Sequence, residues 1–435
     1  VVQLYTSASG TNRPKLELRA FQKTALLAPG EAQELTLTVS IADLACYEEE
    51  RAAYVLSAGE YPVLLGNSVR SLKTVYTYVC KEPCVTRKVK NRCAPKKLPQ
   101  RLRADGSYEA LPMQDYPLAP DRSDWPEKPK WEAEHILPDC SGIEVPADRL
   151  SFADVAGGSV SLDAFVRQLT DDELITLLSG TPNRGVADTR GLGGLDYLKI
   201  PAVMTADGPA GLRICEDRGV TTTAWPVATL LACTWDAEIV CEVGKAGGRE
   251  VRENNLGMWL TPAINIHRSP LCGRNFEYYS EDPLVSGKLA AAMVRGIQSE
   301  GVSACVKHFC VNNKETNRRA SDSRVSERAL REVYLKGFEI VVKESGVWAV
   351  MTAYNLLNGV YTSENKELIS GILREEWGFD GLVVTDWENC AEHYAEALAG
   401  NNVRMPHGSL RRLQRAMQEG LITREDLLEN AYRVL

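Results

Sequence analysis

The residues best suited to chemistry stand at the ends of short apolar runs. Asp207 follows "VMTA", Lys307 and His308 follow "SACV", Tyr354 follows "MTA", and Asp386 with Trp387 follows "VVT". One aspartate at the end of a buried strand is readily explained as a helix N-cap, with an aromatic packed beside it. Four such positions are harder to explain by packing, because each would bury polar groups that then need partners. Their chemistry as a set is coherent. Asp386 is an anion, and Lys307, Arg213 and Arg274 are cations able to keep a carboxylate ionised. Asp207, Lys307 and His308 offer donors and acceptors for several hydroxyl groups at once. Trp387 and Tyr354 supply flat apolar faces that suit a sugar ring.

Other chemistries lack their motifs. The five histidines show no His-x-x-x-His spacing for a metal, and there is no Gly-x-Ser-x-Gly elbow for a serine nucleophile. No Gly-x-Gly-x-x-Gly or phosphate loop appears, and no cofactor is implied. Single members of the set keep structural readings. Arg274 could simply pair with Glu277, His308 could be a satisfied core histidine, Arg318 and Arg319 could be solvated, and Met351 could be core.

The elements that must position these residues alternate between strand and helix from about Ser151 to Leu435. "IPAVMTADG", "MWLTPAIN", "VSACVKHF", "VWAVMTAYN" and "GLVVTDW" are apolar on consecutive residues, the pattern of strands buried on both faces. Between them lie helical patterns. Thr170 and Glu173 form a capping box before Leu174, Ile175, Leu177 and Leu178. Leu330, Val333, Tyr334, Gly337, Phe338 and Val341 recur at helical spacing, and Thr423 with Asp426 opens a C-terminal helix. Roughly 285 residues of this texture suit a (β/α)8-type TIM barrel, irregular because only about five strands are clear. A doubly wound open sheet is the alternative. In a barrel the C-terminal strand ends converge on one face, and the polar set would converge with them.

Residues 1 to 92 read differently. "VVQLYTS", "ELTLTVSI", "AAYVLSA" and "YPVLLGN" are short β-rich runs broken by turns, the pattern of a β-sandwich that is incomplete with so few strands. Residues 93 to 150 are rich in proline and charge, and are expected to be an extended connector laid over other domains through Trp125 and Trp131. The chain opens inside what looks like a strand, without Met, so Val1 is not expected to be the natural start and a leader segment stays open.

Composition narrows the class. A net charge of -8 over 435 residues, with no basic stripe, argues against nucleic acid as a partner. No run is long and apolar enough to span a bilayer. Of twelve cysteines, Cys215, Cys233, Cys241, Cys305 and Cys310 sit in or beside apolar segments as small hydrophobes, which favours a reduced, cytoplasmic protein. Cys80, Cys84 and Cys93 are the one cysteine cluster to weigh for zinc, and their spacing fits no zinc pattern well.

The motifs "TADGPAGLR", "CGRNFEYYSEDP", "VKHF" with "NNKETNRR", "MTAYN" and "GLVVTDW", in that order, resemble glycoside hydrolase family 3. The resemblance covers residues 150 to 435 as the family's barrel and 1 to 92 as its fibronectin-III-like domain. It implies a retaining β-glucosidase acting on a β-glucoside or short β-gluco-oligosaccharide, with β-xylosidase or non-catalytic sugar binding as alternatives. Asp386 would be the nucleophile. Asp207, Arg213, Arg274, Lys307, His308 and an arginine of "ETNRR", Arg318 in preference to Arg319, would hold the sugar. Met351, Tyr354 and Trp387 would line the pocket.

The order of the domains resembles the permuted members, in which an α/β sandwich comes first. In the glucosidases that sandwich supplies the acid/base glutamate, so the resemblance implies an upstream segment or companion chain as partner. Glu281, Glu315 and Glu388 lie near the motifs, and none is marked as the acid. Members that cleave N-acetylglucosaminides carry a Gly-rich, Asp-Ser-His-bearing loop after "KHF". Here that stretch is "CVNNKETNRRASDSRVS", which speaks against that activity. Assembly into a homo-oligomer is left open.

Overall fold

The computed structural model describes residues 1–8, 13–96, 98–102, 107–111 and 148–435. Six strands form its central sheet, in the order Gly191–Gly193, Ala202–Ala206, Met258–Trp259, Ser303–Phe309, Ala349–Thr352 and Leu382–Val384. The first pair is antiparallel and the remaining pairs are parallel. Parallel bridges from Val384 to Val403 and from Ser179 to Arg404, with an antiparallel bridge from Thr181 to Gly191, carry the pairing from the last strand round to the first. Ser303–Phe309 is buried along nearly its whole length, as its unbroken apolar sequence requires when both faces are covered.

Helices follow the parallel strands. Ala237–Glu253 and Pro283–Gln298 start at aspartate caps, Asp236 and Asp282, the second followed by a proline suited to the first helical turn. These two helices meet at Gly244 and Gly296. A Cβ on Gly296 would lie 2.1 Å from the Cys241 carbonyl oxygen, so the backbones can touch only where both side chains are absent. Lys336–Ser345 follows a π-helical turn at Leu330–Tyr334, and Glu367–Glu376 is π-helical too. The capping boxes at Thr170 and Thr423 are present. Among the described residues, no helix is long and apolar enough to cross a membrane.

The N-terminal residues form two antiparallel sheets. One has the order Glu17–Gln22, Val2–Thr6, Gly59–Ser68, Ser71–Cys80, and the other Cys46–Glu48, Ala53–Leu56, Cys84–Lys88. Their shared core is small, built on Leu44, Leu56, Tyr61 and Cys80. Tyr5 and Leu18 belong instead to the main core. The second sheet is tied to the helices by ions: Arg87 to Glu339 at 2.5 Å, and Arg92 to Glu367, Glu375 and Glu376 at 2.7, 2.6 and 3.0 Å. The fully buried Glu327 carboxylate accepts from the Arg92 and Cys93 amides.

Three expectations need correction, and one strand had no signal in the sequence. "ELTLTVSI" forms no strand; Leu35, Leu37 and Val39 are half-buried, but among the described residues no neighbour pairs with them, and alternation encodes a face rather than a partner. The strand Gly191–Gly193 carried no apolar run to announce it. The connector contains a hairpin, Gln100–Leu102 with Tyr108–Ala110, closed by backbone pairing rather than by an apolar face. Cys305 and Cys310 are buried, whereas Cys215 and Cys241 are half-buried and Cys233 is exposed at a helix end. Trp125 and Trp131 lie outside the described residues. Among those described, no group of three His, Cys, Asp or Glu is placed to hold a metal ion.

Arg92 is nearly buried, but Glu375 is 64% exposed and Glu376 keeps Arg331 as a partner. Losing Arg92 thus costs roughly 1.5–3 kcal/mol, the range for hydrogen bonds to a charged group, rather than the full penalty of an unpaired buried ion. Arg92→Met is therefore expected to lower the urea midpoint by a corresponding amount. A midpoint within error of wild type would contradict the view that Arg92 fastens the two parts together.

Candidate active site

A cavity of about 740 Å³ opens at the C-terminal ends of the strands, and Asp207, Arg213, Arg274, Lys307, His308, Arg318, Met351, Tyr354, Asp386 and Trp387 all line it. The topology makes this convergence intelligible. Asp207, Tyr354 and Asp386 each lie within two residues of the end of a different strand, while Lys307 and His308 lie near the end of a fourth. Consecutive strand residues ordinarily face opposite sides. The register shifts between Val306 and Phe309, and both Lys307 and His308 reach the cavity. Asn265 grips the His308 backbone from both sides, accepting from its N–H at 3.0 Å and donating to its carbonyl at 2.9 Å.

Asp207 begins the turn that lines one wall. Gly208 has φ +98°, and a Cβ there would lie 2.0 Å from the Gly211 carbonyl oxygen, so the tight "DGPAG" turn excludes a side chain at this point. The Asp207 carboxylate receives Lys307 Nζ at 2.6 Å and also Arg213. Burial alone would raise its pKa, but Lys307 and then Arg213 outweigh it and bring the value down to about 2. Arg213 reaches Asp188 as well, at 3.5 Å.

Asp386 is not a helix cap. The next helix, His393–Ala399, begins after Glu392, and Asp386 Oδ1 instead accepts from the Trp387 amide at 2.8 Å. Its Oδ2 is buried, has no hydrogen-bond partner among the described residues, and lies 3.6 Å from His308 Nε2. Burial raises the Asp386 pKa; Arg274, Lys307 and the Trp387 amide oppose that rise, as does the Tyr354 hydroxyl without meeting hydrogen-bond geometry to Oδ2. His308 is driven far below the ordinary histidine value by burial and by Arg274, Lys307 and Arg318, so its ring is neutral. Arg274 donates to Nε2 at 2.9 Å, which leaves the ring proton on Nδ1, 3.5 Å from the Tyr278 hydroxyl.

Arg274 also pairs with the buried Glu277, so the ion-pair reading and the cavity reading of Arg274 hold together. Arg318 lines the cavity with its guanidinium 4.4 Å from the Tyr354 ring centroid, whereas Arg319 pairs with Glu388 at 3.4 Å outside the lining. Glu315 is in the lining, held by Arg318 at 2.9 Å and Asn312 at 3.2 Å. Glu281 is exposed. Asp188, Thr189, Glu277 and Phe276 line the cavity without having been singled out. Glu277 was visible only as a partner of Arg274, and Asp188 sits in a loop with no periodic signal.

The arrangement provides a buried carboxylate flanked by cations, fixed donors and acceptors for a polyhydroxylated ligand, and aromatic walls. The fibronectin type III-like domain model matches residues 1–69, and that of the glycosyl hydrolase family 3 N terminal domain matches residues 188–435, more than half of the chain. Beta-glucosidase A of Butyrivibrio fibrisolvens is 48% identical over 448 residues, covering 98% of this chain and 54% of that protein. A solved beta-glucosidase from Paenibacillus barengoltzii superposes with TM-score 0.84 at 34% identity, over 100% of this chain and 51% of that one. Beta-glucosidase 3B from Thermotoga neapolitana, solved with α-D-glucose, gives TM-score 0.60 at 45% identity over 63% of this chain and 42% of that one. This chain thus spans about half the length of the curated relatives it matches first.

A carboxyl whose folded pKa is raised binds its proton more tightly folded than unfolded. Stability is then lost as pH rises from the unfolded value, near 3.9, through the folded one. Asp386→Asn removes that loss and is expected to melt at or above the wild-type temperature at pH 7. A melting temperature several degrees below wild type would contradict the electrostatic account of this site.

Proposed function

We propose, from the premise that this chain belongs to glycosyl hydrolase family 3, that it carries the sugar site and nucleophile of a retaining β-glucosidase. The observation that carries this reading is the Asp386 carboxylate, buried at a strand end between Arg274, Lys307 and His308 in a cavity walled by Tyr354 and Trp387. Asp386 attacks the anomeric carbon of a terminal β-glucosyl residue, and the aglycone oxygen leaves with a proton from an acid/base carboxyl. Water, deprotonated by the same group, then releases the sugar with retained configuration. In this reading the acid/base comes from a domain outside the chain, as the resemblance to the family's glucosidases implies; within the cavity Asp207 is paired with Lys307, Glu277 with Arg274 and Glu315 with Arg318.

Asp207, Arg213, Lys307, His308, Arg274 and Arg318 hold the sugar hydroxyls, at about 1.5–3 kcal/mol for each hydrogen bond to a charged group. Met351, Tyr354 and Trp387 shape the walls. We read the circular pairing of strands as an irregular (β/α)8-type barrel over 151–435, preceded by a fibronectin-III-like unit over 1–92 and a connector over 93–150. The buried thiols of Cys305 and Cys310 support a reducing, cytoplasmic setting. A β-xylosidase or a non-catalytic sugar binder would use the same walls.

The full-length protein is expected to hydrolyse an aryl β-glucoside faster than the matching β-xyloside, releasing β-glucose first by proton NMR. Equal or faster xyloside turnover would sink the glucose assignment, α-glucose as first product the retaining one, and binding without turnover the enzyme assignment. The raised pKa of Asp386 places the acid limb of kcat/KM above the ordinary aspartate range. Lys307→Gln removes a cation that lowers that pKa, so the limb moves to higher pH. The loss of this buried donor is also expected to reduce kcat/KM by roughly 10²–10³-fold, the cost of one transition-state donor.

A further inference from the structure

The segment from Asp386 to Glu392 has no helix or strand of its own, yet it must hold both the proposed nucleophile and the Trp387 wall in place. Its second turn residue, Glu388, has φ 52°, a left-handed conformation that a glutamate adopts only when its surroundings impose it. The surroundings are visible. Glu388 N–H donates to the Met405 carbonyl at 3.1 Å, and Thr385 is paired with Val403 and Met405. Beyond the turn, Arg404 donates to the Ala391 carbonyl at 2.8 Å and to the Asn389 carbonyl at 3.1 Å. The same guanidinium meets Glu396, 1% exposed, at 2.7 Å. The other Glu396 oxygen accepts from Asn389 Nδ2 at 2.7 Å, and Asn389 Oδ1 accepts from the Ala391 amide at 3.0 Å.

We propose that Arg404, with Glu396 and Asn389, is a positioning clamp that sets the Asp386–Trp387 turn in its reactive geometry. Arg404 does not line the cavity. It acts by fixing two carbonyls five and three residues after Asp386, which leaves the strained turn no room to relax. The consequence for chemistry runs through the Trp387 amide, whose hydrogen bond helps keep Asp386 ionised. A planar, five-donor guanidinium suits this task, because it can serve a carboxylate and two carbonyls from one rigid fork. The inference rests on Asp386 being the nucleophile.

The test uses the full-length protein with Arg404→Met and Asn389→Ala, the second of which leaves the Arg404–Glu396 ion pair in place. Active sites are counted by the burst of dinitrophenol from an activated 2-fluoro glucoside, so that misfolded molecules do not enter the rate. Per titrated site, kcat on an aryl β-glucoside is expected to fall roughly 10- to 100-fold, the range of a displacement of up to about 1 Å. The acid limb of kcat/KM is expected to move to higher pH, while inhibition by free glucose changes less than about threefold. A residue that merely stabilises the fold would move neither the per-site rate nor the acid limb. Wild-type values of both in the two variants would overturn the clamp. If Arg404→Met does not fold, Asn389→Ala decides alone. A wild-type protein that does not turn over β-glucosides would overturn the underlying reading and the clamp with it, whereas an active wild type with unaffected variants overturns the clamp only.

Discussion

Taking the Asp386 carboxyl out of water raises its affinity for a proton, and the chemistry proposed for it needs that proton gone. Burial is the largest influence on its pKa, opposed first by Arg274 and then by Lys307. Neither cation is free to drift. Arg274 is anchored on Glu277 and on His308 Nε2, and Lys307, 2% exposed, is anchored on Asp207. Each anchor has its own support: Asp207 from Arg213, and His308 from Asn265 through its backbone. The flanking cations are therefore held in a connected set of ion pairs, Arg274 with Glu277 and Lys307 with Asp207, the condition under which such burial is tolerated. The same connection has a chemical consequence. His308 is held neutral with Nε2 accepting, so Asp386 Oδ2 is left without a hydrogen bond and is available as a nucleophile.

The fold supplies what this set needs, which is precision from several directions at once. Four strands bring their C-terminal ends together, and residues far apart in the chain become neighbours without any one loop having to reach across. The helices behind the sheet meet closely enough to exclude side chains at Gly244 and Gly296. The second N-terminal sheet is fastened by Arg87 to the helix Lys336–Ser345, and Arg92 just beyond it to the helix Glu367–Glu376. A segment outside the helical layer is thus held at fixed distance from the cavity, and an acid/base contributed from beyond the chain would need such a fixed reference.

Much of this was legible because parallel strands buried on both faces read as unbroken apolar runs, and a polar residue at the end of such a run stands out. The five strands carrying Asp207, Lys307, Tyr354 and Asp386, with Met258–Trp259 among them, were readable in that way. Gly191–Gly193 was not, since two glycines in three residues carry no hydrophobic pattern. "ELTLTVSI" failed in the opposite sense: its alternation was real, and it shows which face turns inward, but pairing depends on a neighbour that local sequence does not describe. In the site, residue types at strand ends could be read one by one. Their mutual arrangement could not, because Asp188 and Asn265 act from loops, and although Arg318 and Arg319 both stand over the Tyr354 ring, only Arg318 lines the cavity. The Arg404 clamp was equally hidden, as it joins backbone carbonyls that no side-chain pattern marks.

The central claim is that Asp386 forms the covalent bond to the sugar. The most direct measurement is to incubate the full-length protein with an activated 2-deoxy-2-fluoro-β-glucoside and locate the adduct by peptide mass. The good leaving group lessens the need for an acid, and the fluorine slows release of the intermediate. The account predicts a single fluoroglucosyl group on the peptide containing Asp386, absent from Asp386→Asn. An adduct on any other residue, or a protein that stays unlabelled while it hydrolyses β-glucosides, would contradict it.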